Sequence, residues 1–279
     1  MAVSPQGEWL YLADNNKTVV LSTDSFAVAT ELDCPTWKGC ATSPDGRLIA
    51  VCGNDLSIFE TTHYTLHHHD TDKVAHGVFS QDGMELYCAA GWDSQNPGPP
   101  YAYIAHLTQM PISVTRRAFA GGGVWKLTPL IYQDYWLMLM SSGTFIYHFI
   151  VHSVTGDTTV FDRFLTPGSG DIELTPDGEL VFFTNPGTLL DGPPADPFVF
   201  VYDIRQNEVV DSIYTPSTGG RSMTPRLLAI TPDGRKLIAV GARGQGEFSV
   251  IDVATREVVE HYDLGNTVDF WDVACQNGK

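Results

Sequence analysis

Thr231-Pro232-Asp233-Gly234-Arg235-Lys236-Leu237-Ile238-Ala239-Val240 is the stretch that decides how the chain is read. Proline presets a turn-compatible φ and glycine accepts positive φ, so the first four residues form a tight hairpin. The apolar run behind them has the length and composition of a strand. The unit recurs as Ser43-Pro44-Asp45-Gly46 before Leu48-Ile49-Ala50-Val51, and as Thr175-Pro176-Asp177-Gly178 before Leu180-Val181-Phe182-Phe183. Weaker copies are Ser4-Pro5-Gln6-Gly7 and Ser80-Gln81-Asp82-Gly83, with a degenerate one at Thr128-Pro129 and a partial seventh match at Gln276-Asn277-Gly278.

Around each copy the order is the same: a short apolar strand, the hairpin, a second strand, a loop, a third strand ending in a polar residue, and a fourth strand. The first six copies begin at residues 4, 43, 80, 128, 175 and 231. Short strands repeated at this interval are the pattern of propeller blades, whose small sheets bury both faces against their neighbours. The chain starts at the first hairpin, and Phe270-Trp271-Asp272-Val273-Ala274-Cys275 resembles the inner strand missing there. The expectation is a single all-β domain over residues 1–279: a six-bladed β-propeller of four-stranded antiparallel blades, closed by the C-terminal inner strand joining the N-terminal blade. A seven-bladed propeller is the alternative.

The run from Thr231 through Val250-Ile251-Asp252 and Thr255 to Val258-Val259 resembles the YVTN-type propeller repeat, a group similar to surface-layer repeats, lactonase-type propellers and the propeller subunits of amine dehydrogenases. The resemblance is strong in blades two, five and six and poor in blade four. It implies the fold and leaves function open, since that group holds enzymes, scaffolds and adhesive proteins.

Composition narrows the partners. A net charge of −17 repels phosphate backbones and anionic lipid, which argues against nucleic acid and membrane surfaces. No apolar run reaches the roughly 18 residues of a membrane span. Met1 leads directly into a turn and strand, so the chain shows no signal peptide; a secreted or periplasmic location stays open if a leader is removed. The five cysteines lack metal-type spacing and are expected as buried free thiols, with a Cys34–Cys40 bridge and glycosylation at Asn16-Lys17-Thr18 as the secreted alternative.

Antiparallel strands place the Ser/Thr-Pro-Asp-Gly hairpins and the three-to-four turns at one end of the ring. The two-to-three loops and blade connections lie at the other end. That second end carries the insertions Gly91–Pro100 and Asn185–Pro197, and long loops on a rigid scaffold are where binding usually resides. The first residues of the inner strands ring the channel mouth there: Trp37, Lys38, His76, Trp125, Asp171, Arg226, Trp271 and Asp272. Indoles, carboxylates, cations and an imidazole around one axis suit a ligand funnel for a small molecule or a protein or peptide segment. Asp171 and Asp272 are candidates for a divalent cation at the axial mouth.

The leading functional expectation is therefore a binding protein. The alternative is a lactonase-like hydrolase or isomerase, with His76 and Asp171 or Asp272 as acid/base groups and Lys38 or Arg226 stabilising charge. A structural or cell-surface spacer is the third reading. The run His67-His68-His69-Asp70 suggests a metal less strongly, because nothing in the sequence fixes its geometry. His106 and His152 align with the turn-closing Glu60, Asp203 and Asp252 and are expected as turn residues. His148 is expected in a core or between blades.

Overall fold

In the computed structural model every residue is described except 14–15, 35–38, 81, 91–100, 119–122, 130–134, 142–145, 153–157, 161–170, 185–196, 207, 218–222, 242–244, 266–267, 269–272, 274 and 276–279. The described strands form six four-stranded antiparallel sheets, each in simple sequence order. The first is β1 (Ala2–Val3), β2 (Trp9–Ala13), β3 (Thr18–Ser22) and β4 (Val28–Leu32). The second is β5 (Gly39–Thr42), β6 (Leu48–Cys52), β7 (Leu56–Glu60) and β8 (Leu66–Asp70); the third is β9 (Val74–Phe79), β10 (Glu85–Ala90), β11 (Tyr101–His106) and β12 (Ser113–Ala118). The fourth is β13 (Gly123–Pro129), β14 (Tyr135–Ser141), β15 (Ile146–His152) and β16 (Thr158–Val160). The fifth is β17 (Ile172–Leu174), β18 (Leu180–Thr184), β19 (Phe198–Asp203) and β20 (Glu208–Tyr214), and the sixth is β21 (Pro225–Ile230), β22 (Lys236–Gly241), β23 (Glu247–Asp252) and β24 (Glu257–Asp263).

First strands meet first strands along the series: β1 against β5, β5 against β9, β9 against β13, β13 against β17, and β17 against β21. This is the radial stacking of propeller blades. Five blades have described side-chain packing; in the sheet β13–β16 only the backbone pairing is described. The expected closed ring, six-bladed or seven-bladed, is corrected here. What stands with packed cores is five blades, and no seventh sheet occurs among the described residues. The inner place of the first sheet is taken by Ala2–Val3, paired Ala2 to Tyr11 and Val3 to Leu10. Of the C-terminal segment expected there, 269–272 and 274 lie outside the described residues, and the Cys275 thiol donates to the carbonyl of Ala229 on β21 at 3.7 Å. Two residues suffice to flank β2 before the first turn, so Ala2–Val3 themselves form a first strand in this sheet.

Burial runs from inside to outside. The middle strands are apolar on both faces, as in Leu56-Ser57-Ile58-Phe59, while the outermost strands β8 and β24 are mostly exposed. One core cluster spans the second and third blades through Leu56, Ile58, Phe79, Leu86 and Tyr103, and another spans the fifth and sixth through Phe182, Val201, Leu228 and Ile251. Each such side chain contributes about 1.5–3 kcal/mol by leaving water. Gly77 marks how close the blades approach: a Cβ there would lie 2.9 Å from Cys52 Sγ and 3.3 Å from Cys88 Sγ. All five cysteines are free thiols, four of them buried, as the sequence indicates. Burial pushes the Cys40 thiol up to about 12, so it behaves as a small hydrophobe.

The hairpin motif closes on itself. Thr231 Oγ1 donates to Asp233 Oδ1 at 2.6 Å, and the same oxygen accepts the N–H of Arg235 at 3.0 Å. Ser43 with Asp45, Ser80 with Asp82 and Thr175 with Asp177 repeat the arrangement. The glycines hold φ between 71° and 73° at Gly46, Gly83, Gly178 and Gly234. They also face the preceding blade, since a Cβ on Gly234 would lie 2.9 Å from Pro176 Cδ. Gly234→Ala is therefore expected to cost at least about 1–2 kcal/mol from the positive φ alone, measured by urea denaturation. Gly265→Ala, also at positive φ but with open space around it, should cost less.

Candidate functional site on the long-loop face

The inner strands carry a feature that the sequence hides. In β9, β13 and β21 the pairing register slips by one residue, leaving Ala75, Trp125 and Arg226 as bulged positions. Each lies four residues before the last residue of its strand, toward the long-loop end. A bulge bends the strand and re-aims the residue it carries, and bulges are frequent beside functional sites. Trp125 and Arg226, both expected at the mouth, thus share one tier of the inner strands. His76 and Asp171 share the next, each three residues before its strand's end.

The backbones of His76 and Trp125 are placed, and Arg226 is half-buried. Trp37, Lys38, Trp271 and Asp272 lie outside the described residues, as do the insertion 91–100 and residues 185–196. Asp171 is buried, and its carboxylate accepts two main-chain N–H groups at 2.9 Å, Ile172 on its own strand and Leu228 on the next blade. Its own N–H donates to Thr184 Oγ1 at 2.9 Å. Asp171 thereby ties the fifth blade to the sixth.

A second group gathers at the same end, between the outer halves of the second and third blades. Tyr103 is fully buried, and its hydroxyl donates to Asp70 Oδ2 at 2.9 Å while lying 2.9 Å from His68 Nε2. Arg116 reaches Asp70 at 3.1 Å and Asp72 at 2.6 Å, with its guanidinium 5.4 Å from the centre of the Tyr103 ring. Burial, then the Asp70 carboxylate, pushes the Tyr103 hydroxyl well above its ordinary value. Burial alone would raise Asp70, but the Tyr103 hydroxyl, the Asp72 N–H and the Arg116 charge together hold it below the usual carboxylate range. Burial keeps the His68 imidazole below its ordinary value and so favours the neutral ring.

The run of three histidines and an aspartate is thus divided by the strand period of two. His68 points to the third blade, and His67 and His69 are exposed on the other face. Among the described residues no group of three or more His, Cys, Asp or Glu is arranged to hold a metal ion. Glu60, Asp203 and Asp252 close their turns by accepting main-chain N–H groups. His106, at the equivalent position, instead bridges Glu85 at 2.8 Å and Thr115 at 3.0 Å, because an imidazole reaches sideways to neighbouring strands. The side chains of His148 and His152 lie outside what is described.

No protein-family model and no curated protein matches the chain. Solved structures do. The hydrazine synthase of Kuenenia stuttgartiensis superposes with a TM-score of 0.73 at 16% identity, over 90% of this chain and 75% of that one. The dihydro-heme d1 dehydrogenase NirN in complex with DHE gives 0.66 at 14%, over 95% of this chain and 56% of that one. The β-propeller domain of Swd1 from Myceliophteria thermophila gives 0.74 at 10%, over 98% and 88%. At these identities the likeness shows the fold: the chain is a β-propeller, a fold it shares with a synthase, a dehydrogenase and the propeller domain of Swd1. No helix of the described residues is long and apolar enough to cross a membrane.

The network between the second and third blades has a measurable consequence. Both His68 and Asp70 bind protons less readily folded than unfolded, so stability rises with pH across their windows. The His68 contribution is present above its unfolded value of about 6.5 and fades as pH falls below it; that of Asp70 fades below about 4. Thermal melts from pH 7 to pH 5 should show a falling Tm, and His68→Gln should flatten that slope. Tyr103→Phe should cost about 1–3 kcal/mol at pH 7 by leaving buried partners unpaired.

Proposed function

We propose that this protein is a binding β-propeller of the YVTN-type group, one domain over residues 1–279, that takes a small molecule or a partner segment at its long-loop face. The axial mouth is the centre of that face, with Trp125 and Arg226 on the bulged tier; Lys38, Trp37 and Trp271, assigned to it from the sequence, lie outside the described residues. One observation carries the reading: the two ends of the blades are chemically unequal. At the hairpin end the motif hydroxyls and carboxylates are spent on their own turns. At the other end the register of the inner strands slips by one residue in β9, β13 and β21, a feature frequent beside functional sites.

A spacer has no need of that asymmetry. The hydrolase or isomerase alternative requires a carboxylate free to exchange protons beside His76; both Asp171 oxygens already accept main-chain N–H groups, which leaves that role to Asp272, outside the described residues. Binding therefore accounts for the geometry better than acid–base chemistry. The net charge of −17 favours neutral or cationic ligands, with a divalent cation at the mouth compatible with the carboxylates there.

The test is a ligand-observed NMR screen of a small-molecule library against three proteins: the parent, a Trp125→Ala/Arg226→Ala double variant, and an Arg47→Ala/Arg235→Ala double variant. The two arginines of the last variant are 83% exposed at the hairpin end. Ligands of the parent should bind at least about tenfold more weakly to the mouth variant, a loss of about 1.4 kcal/mol, and unchanged to the hairpin-end variant. Equal loss at the hairpin end, or none at the mouth, contradicts the proposal.

A further inference from the structure

Among the described residues, two buried side-chain atoms have no hydrogen-bond partner: Asp55 Oδ1 and His261 Nε2. They occupy equivalent constellations in different blades. Ser57 on β7 lies opposite His69 on β8, and Ser249 on β23 lies opposite His261 on β24. Two residues before each serine stands an acid, Asp55 or Glu247. In both blades the serine hydroxyl engages the Nδ1 of its histidine, at 3.2 Å and 3.0 Å, which orients the ring and leaves Nε2 as the nitrogen turned away from the serine.

In the second blade that nitrogen has a counterpart. His69 Nε2 stands 3.9 Å from Asp55 Oδ2, too far for a hydrogen bond. First-row divalent cations bond histidine nitrogen and carboxylate oxygen at about 2.0–2.2 Å, and two such bonds meeting at an open angle span that gap. The orphaned Oδ1 supplies a further acceptor on the same carboxylate. The Ser57 hydroxyl on Nδ1 is the kind of outer partner that fixes the ring of a metal-bound histidine. Access is open, since the His69 side chain is 46% exposed and that of Asp55 20%. In the sixth blade the equivalent acid is partly spent, because Glu247 Oε1 accepts the Ser217 hydroxyl at 2.8 Å.

We propose that Asp55 and His69 form a binding site for one first-row divalent cation of the Zn2+ type, with water completing its coordination. The site lies on the long-loop side of the second blade, away from the channel mouth, and does not depend on the binding function proposed above. Two protein ligands leave coordination positions for water or for a donor from an incoming partner. Protons compete for His69 and Asp55, so affinity falls as pH falls.

Equilibrium dialysis of the full chain against Zn2+ at pH 7.5 tests the proposal. The parent should bind one equivalent, with Asp55→Asn and His69→Gln at least about tenfold weaker. Ser57→Ala should weaken binding within the roughly 10–100-fold range of outer-partner losses. His67→Gln, which removes an exposed imidazole from the same strand, should bind as the parent does. Imidazole 15N spectra of the parent add a readout independent of any variant, and the His69 Nε2 signal should move on Zn2+ addition. No binding by the parent, unchanged binding by His69→Gln, equal loss in His67→Gln, or a spectrum in which His69 stays still would each overturn it.

Discussion

Each complete hairpin rests on one aspartate that accepts both the hydroxyl of the Ser or Thr two residues before it and the N–H two residues after it. Asp82, Asp177 and Asp233 are held below their ordinary carboxylate value first by that hydroxyl and then by the N–H. The glycine that follows takes a positive φ and presents a bare Cα to the neighbouring turn, Gly83 near Pro44 and Gly234 near Pro176. A local sequence signal thereby does two jobs. It reverses the chain within a blade, and it sets how closely the next blade can approach. Everything radial about the fold, from the stacked inner strands to the shared cores, follows from repeating that spacing.

The opposite end is held by other means, which differ from junction to junction. The fifth and sixth blades are tied there by Asp171 on Leu228 N–H, whereas the first and second are joined at the hairpin end, by the Thr42 hydroxyl on the Val3 carbonyl at 3.0 Å. The second and third are joined by the network of Tyr103, Asp70, Arg116 and Asp72. The outer-strand register that gives Ser57–His69 and Ser249–His261 gives Tyr103–Arg116 in the third blade and Phe200–Ser212 in the fifth. One structural position thus carries three chemistries in four blades, on the end where the loops diverge. A scaffold whose repeats are constant at one end and individual at the other has a natural place for function.

The fold was legible in the sequence wherever its cause was local. The hairpin tetrapeptides named the strands on either side, and the buried thiols followed from apolar context. Blade four was read slightly out of place, because Pro129 drew the turn toward itself. In the structure Thr128 and Pro129 are still in the strand, opposite Leu137 and Trp136. The bulges were invisible, since an extra residue exists only relative to the partner strand. The bond from Leu228 to Asp171 joins residues far apart in sequence, and nothing near either residue announces it. The same holds for Tyr103, Asp70 and Arg116. His69 was visible within its histidine run, but its relation to Asp55 depends on the pairing of β7 with β8. The first strand of the first sheet was hidden because Ala2–Val3 is too short to read as a strand, while Phe270–Cys275 has a strand's local pattern.

The inequality of the two ends is best tested by crystallographic fragment screening of the unmodified protein. Bound fragments should concentrate at the long-loop end, around the bulged tier of β9, β13 and β21. Fragments gathered instead on the hairpin turns, or spread evenly over both ends, would contradict the account.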